Sequence, residues 1–184
     1  MKTKSLLIGL LCFIVGLCGI AQEQAQEQKW SNTPIQVKNI DAQKALIMKA
    51  DIPMSEISEK MGEIYQTVFT YIQQNNIVPA GPAFAVYYSY EPEGNIVFEA
   101  GVPVTEKQKG TDDILYKQYE EMKAATTLYK GSYEAMEPVY GKMQQYMADN
   151  KLEFTGISWE VYLTDPSMVT DPSMNQTLIY FPVK

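Results

Sequence analysis

Gly156-Ile157-Ser158-Trp159-Glu160-Val161-Tyr162-Leu163, set beside Gly81-Pro82-Ala83-Phe84-Ala85-Val86-Tyr87-Tyr88, decides how this chain is built. In the later stretch Ile157, Trp159, Val161 and Leu163 fall on one face of an extended strand, and Ser158, Glu160 and Tyr162 on the other. The two stretches are 75 residues apart, and the same offset carries Tyr65 to Tyr140, Tyr71 to Tyr146, Asn75 to Asn150, Gly81 to Gly156, Val86 to Val161 and Tyr87 to Tyr162. Hydrophobic class is kept from Ile64 to Val139, Val68 to Met143, Ile72 to Met147, Ile77 to Leu152 and Phe84 to Trp159. Agreement that runs through a helical stripe, a glycine break and a strand marks an internal repeat.

Working outward, Ile35 to Ile52 holds the apolar run Ala45-Leu46-Ile47-Met48, a first strand bounded by Asp41 and Pro53. Met54, Ile57, Met61, Ile64, Tyr65, Val68 and Ile72 recur every three or four residues and predict an amphipathic helix, with Ser55 as its cap and Asn75-Asn76 as its end. Beyond Gly81-Pro82, Phe84 to Tyr90 and Ile96 to Val104 read as a hairpin around Pro92-Glu93-Gly94-Asn95. The second copy opens with Ala125 to Tyr129, at an offset closer to 80. Gly131-Ser132 then starts a helix whose stripe is Met136, Val139, Tyr140, Met143 and Met147, with Pro138 near its first turn. Methionines at helical spacing read as core. The pentapeptide Thr164-Asp165-Pro166-Ser167-Met168 recurs as Thr170-Asp171-Pro172-Ser173-Met174, a surface loop whose aspartate spacing fits no calcium loop. The expected fold is α+β: two tandem β-α-β-β modules, about 35–105 and 113–184, with pseudo-twofold symmetry around a central ligand cleft.

Residues 1–21 read as a secretory signal peptide, with Lys2 and Lys4 ahead of the apolar run Ser5 to Leu17 and small residues at Gly19-Ile20-Ala21. The Gln/Glu-rich segment 22–33 reads as a disordered polar tether, which leaves 34–184 as the domain. Both cysteines, Cys12 and Cys18, lie in the signal segment, so the mature chain has no thiol for disulfide, zinc or nucleophile. Lipidation at Cys18 is the weaker alternative, because Leu17 is bulky where a lipoprotein signal places a small residue. The expected location is periplasmic or secreted. Without Lys2 and Lys4, the 15 basic residues become 13 against 22 acids, a net charge of −9. No arginine and no histidine occur, so the chain is a poor partner for nucleic acid, and neither a metal site nor a cofactor is expected. Thirteen tyrosines stand out, a residue suited both to sheet edges and to the wall of a cleft for planar molecules.

Glu160 is the residue that asks for an explanation. The repeat places Ala85 at the equivalent position, so folding does not require an acid there. A carboxylate among aromatic walls is a counter-charge for a lipophilic cation, and burial would also raise its pKa toward general-base range. Spacing alone equally allows a solvated residue on an open sheet face. Tyr162 and Tyr87 are candidate walls, Trp159 is a further one although strand parity turns it away from Glu160, and Glu99 is a second candidate acid.

Lys130-Gly131-Ser132-Tyr133-Glu134, Tyr140, Tyr146, Gly156 through Tyr162, Asp165-Pro166, Thr177 through Val183 and Gly101-Val102-Pro103-Val104 together resemble the GyrI-like family, the effector-binding domain of multidrug-responsive transcription regulators. The resemblance spans Ile35 to Lys184 and rests on order and spacing. It implies a cleft between two modules for lipophilic, often cationic compounds, with Glu160 as the pocket glutamate and Tyr162 as its companion. Regulators of this family fuse the module to a DNA-binding domain, which is not read in this sequence. Stand-alone members similar in layout hydrolyse cyclopropane-bearing toxins, which would make Glu160 a catalytic base. Haem-binding relatives of similar architecture use a histidine that is missing here. The leading expectation is an exported small-molecule binder, against hydrolase and partner-surface alternatives. Oligomeric state is left open.

Overall fold

The computed structural model describes residues 30–90, 94–165 and 168–184. The stretch read as a signal peptide and the expected tether up to Lys29 lie outside the described residues, as does part of the loop between the hairpin strands. The strands are β1 (Ser31–Asn32), β2 (Gln36–Ile40), β3 (Gln43–Pro53), β4 (Phe84–Tyr90), β5 (Asn95–Pro103), β6 (Leu115–Tyr119), β7 (Met122–Lys130), β8 (Ser158–Tyr162) and β9 (Gln176–Pro182). The helices are α1 (Ile57–Gln74) and α2 (Glu137–Asp149). After β2 the order is β3-α1-β4-β5 and then, past β6, β7-α2-β8-β9, an α+β chain with an antiparallel sheet.

The sheet runs β1-β7-β9-β8-β4-β5-β3-β6, with β2 also on β7. Two residues, Asp41 and Ala42, join β2 to β3, although the sheet order puts five strands between them. In a flat sheet that separation would be about 29 Å, whereas the three Cα steps from Ile40 to Gln43 reach at most about 11 Å. The sheet therefore curls until its ends meet. Glu120 and Glu121 make the matching connection from β6 to β7, and the pairs Gln36↔Thr126, Ile40↔Met122, Gln43↔Tyr119 and Ile47↔Leu115 keep one register across both connections. Two long, kinked strands thus close the sheet into a barrel-like ring.

The ring has two faces with different contents. Outside, α1 seats Ile64, Val68 and Ile72 on Leu46, Phe98, Ala100 and Val102. Also outside, α2 seats Val139, Met143 and Met147 on Ala125, Ile179 and Phe181, so the methionine stripe is core. Inside, Ala45, Ile47, Phe84, Val86, Tyr119 and Trp159 pack on one another.

Two local expectations are corrected. Residues 30 to 33, expected in the tether, join the fold: Ser31–Asn32 is a strand with Ser31 paired to Lys130, the Thr33 amide donates to the Leu128 carbonyl at 3.0 Å, and Trp30 packs on Tyr129. Ser55 does not cap α1; it lies in a single 3-10 turn, Met54–Glu56, and the residue at the cap is Glu56, without a side-chain capping bond. The segment between β5 and β7 holds a further strand, β6, that periodicity alone does not reveal.

Candidate functional site

The register between the two central strands fixes where Glu160 goes. Ala85 stands opposite Glu160, flanked by the pairs Phe84↔Val161 and Val86↔Trp159. Ala85 belongs to the core under α1, so Glu160 shares the outer, helix-bearing face, and Trp159 turns inward. The principal packing of α1 is on β3 and β5, and that of α2 is on β7, which leaves β4 and β8 as the floor of a furrow between the helices. Glu160 sits on that floor.

The carboxylate is buried and ringed by phenols. Tyr140, from α2, donates to Oε1 at 2.5 Å, and Tyr162 donates to Oε2 at 2.8 Å. Tyr87 donates to Oε2 at 3.3 Å and also lies 3.0 Å from the Tyr162 hydroxyl. Tyr65, from α1, meets the Tyr162 ring edge-on at 6.1 Å and spends its hydroxyl on the Phe84 carbonyl at 3.0 Å. Tyr133 meets Tyr162 from the other side at 5.8 Å and is the exposed member of the group; the other four are half-buried. Five tyrosines therefore cluster about one buried acid, with Tyr133 at the surface.

Among the described residues no lysine pairs with Glu160. Burial pushes its carboxyl above the ordinary value, and the hydrogen bonds from Tyr140, Tyr162 and Tyr87 only partly offset that. Burial and the nearby carboxylate push Tyr65, Tyr87, Tyr140 and Tyr162 well above the usual phenol range, so all four remain protonated. The site can present one negative charge, or one protonated carboxyl, amid aromatic surface.

Glu160, Tyr162 and Tyr87 are thus brought together, but Trp159 and Glu99 are not. Trp159 is inside the ring, stacked on Phe84 at 5.3 Å, because successive residues of a strand face opposite sides. Glu99 pairs with Val86 and shares its inner face. There it is buried and accepts bonds from Lys117 at 2.6 Å, Tyr88 at 2.7 Å and Tyr119 at 2.7 Å, with Lys49 at 3.7 Å. Burial pushes this carboxyl up, yet Lys117, Tyr119 and Tyr88 together hold it below the ordinary value. Glu99 is an internally neutralised keystone and not a second acid of the furrow.

Helical spacing places Tyr140 on the core stripe of α2, and local pattern alone gives Tyr65 and Tyr133 no part in the site. A signal was available: the 75-residue repeat put Tyr65 and Tyr140 at one helical position in both copies, beside the strands it also matched. Among the described residues, no cluster of three or more His, Cys, Asp or Glu is placed to hold a metal ion. Nor is any helix among them long and apolar enough to cross a membrane.

Comparison with solved structures places this fold in familiar company. The C-terminal domain of EcmrR is similar at a TM-score of 0.73 and 20% identity, over 82% of this chain and 97% of that one. A hydrolase from Listeria innocua is similar at 0.62 and 12%, over 82% and 91%. SAV2435, solved bound to tetraphenylphosphonium, is similar at 0.56 and 11%, over 83% and 94%. No curated protein matches the chain. The model of the GyrI-like small molecule binding domain matches residues 33–184, and with a furrow of tyrosines converging on one buried carboxylate, this chain belongs to the GyrI-like family of small-molecule-binding domains.

Proposed function

We propose that this protein binds lipophilic aromatic cations in the furrow between α1 and α2, with Glu160 as their counter-charge and Tyr65, Tyr87, Tyr133, Tyr140 and Tyr162 as the surfaces they stack on. The observation that carries the reading is a buried carboxylate bonded by phenols and paired with no ammonium group among the described residues. An unneutralised buried anion is unfavourable, and a cation that enters relieves that cost while gaining cation–π contact of roughly 0.5 to 2 kcal/mol. That SAV2435 was solved with tetraphenylphosphonium, a lipophilic cation, supports the ligand class. In this reading the two halves are modules of one plan about a local twofold through the Ala85–Glu160 pair, and only the second half has kept an acid on the axis. The chain acts after export, in the periplasm or outside the cell, where it would sequester such compounds.

Calorimetric titration with tetraphenylphosphonium tests the counter-charge. Glu160→Gln is expected to weaken binding by about tenfold or more; equal affinities for variant and wild type would remove Glu160 from the reading. A second reading, hydrolysis of an electrophilic, cyclopropane-type compound, draws on the raised titration of Glu160, which suits a general base, and on the hydrolase among the similar structures. Turnover of such a compound that disappears in Glu160→Gln would favour it over binding.

A further inference from the structure

Closing the sheet leaves a hollow on its inner face that the furrow does not use. It lies where the two short connections cross, with a volume of about 570 Å³. Phe84, Trp159 and Tyr180 line it from the middle of the sheet, Leu163 stands exposed on its border, and Gln43 and the connections Asp41-Ala42 and Glu120 complete it. Every one of the sheet residues named faces away from Glu160, so the two spaces are separated by the sheet itself.

Size, shape and chemistry make this hollow more than a packing gap. Its volume is that of a small-molecule pocket, and mouths of closed sheets are common places for one. Its wall contains the Phe84–Trp159 stack, whose rings lie within 15° of parallel, with the Tyr119 ring edge-on to Trp159 at 4.7 Å. At the mouth, Asp41 and Glu120 are two exposed carboxylates against one ammonium of the same lining, Lys44, which donates to the Thr105 carbonyl at 3.4 Å. The local field therefore favours positive charge.

We propose that this hollow is a second small-molecule site, independent of Glu160, for a planar aromatic cation. The flat ring lies against the Trp159 side of the inner face, and the charge stays near Asp41 and Glu120. Occupation here leaves the furrow open, so one chain holds two ligands on opposite faces of one sheet.

The test is calorimetric titration with berberine, a planar isoquinolinium with ether oxygens, against Glu160→Gln protein, in which the furrow has lost its carboxylate. Binding is expected to persist there and to fall by about tenfold or more when Leu163→Lys is added, since a second positive charge then meets the ligand at an apolar wall. Should Leu163→Lys fail to fold, Asp41→Asn with Glu120→Gln, both at exposed positions, is expected to weaken binding and flatten its salt dependence. No binding to Glu160→Gln protein up to the solubility of the dye, or unchanged affinity in these inner-face variants, overturns the proposal; neither result bears on the counter-charge at Glu160.

Discussion

Two buried glutamates occupy opposite faces of one sheet, and their surroundings differ in a single respect. Both accept hydrogen bonds from tyrosines, Glu99 from Tyr88 and Tyr119 and Glu160 from Tyr87, Tyr140 and Tyr162. Glu99 also has Lys117 at 2.6 Å and Lys49 at 3.7 Å; Glu160 has no lysine among the described residues. The titrations diverge accordingly, Glu99 below the ordinary carboxylate value and Glu160 above it. Burial alone does not mark a functional acid. A buried acid whose charge is already matched serves the fold, and one whose charge is left over is available to a ligand.

The contrast breaks first at Glu99. Glu99→Gln is expected to lower stability in urea denaturation by about 2 to 3 kcal/mol, since it weakens several hydrogen bonds to a charged group, and to leave cation affinity at the furrow unchanged. A variant as stable as wild type would show that the lysine pairing holds nothing together. Glu160→Gln should do the reverse, costing about 1.4 kcal/mol or more of cation affinity without lowering stability at neutral pH. Tyr140→Phe, which removes the shortest bond to Glu160, is expected to cost about 1 kcal/mol in stability and to move the Glu160 titration further upward, read by carboxyl NMR. A downward move would mean that the phenol does not stabilise the anion.

The subtlest separation is in pH. Because the folded-state titration of Glu160 is raised, its ionisation disfavours the fold, so the stability of wild type relative to Glu160→Gln should fall as pH climbs from the ordinary glutamate value through the raised one. Glu99 has the opposite sign: the stability it contributes is present above the ordinary value and is lost as pH drops through its lowered titration. Urea midpoints across the acid range for the three proteins should therefore give difference curves of opposite slope. Cation affinity should weaken as Glu160 is protonated, and that dependence should vanish in Glu160→Gln.

What could be read in advance was local. Alternation in Ile157 to Leu163 assigned Glu160 and Tyr162 to one face and Trp159 to the other, which the strand reproduces. The stripes of both helices, the hairpin of β4 and β5 and the α+β class followed from periodicity and glycine breaks. The ring closure did not. Gln36-Val37-Lys38-Asn39-Ile40 and Leu115-Tyr116-Lys117-Gln118-Tyr119 are short and half polar, and what makes them strands is pairing with residues about 70 to 90 positions away, which no window of local sequence contains. Glu99 was misplaced for a related reason: it was the lysine of β6 that identified its role, and β6 itself had not been recognised.

The crossed arms also constrain how this chain can be divided. β2 precedes the first helix yet completes the sheet of the second, and β6 follows the first hairpin yet borders the first strand of that same half on its outer side. Neither half can be cut away without exposing a bare sheet edge on the other, a ready template for unwanted association. Splitting the gene between Lys109 and Asp112 should thus yield fragments that are sticky alone and become well behaved only on mixing, when each lends the other its missing border.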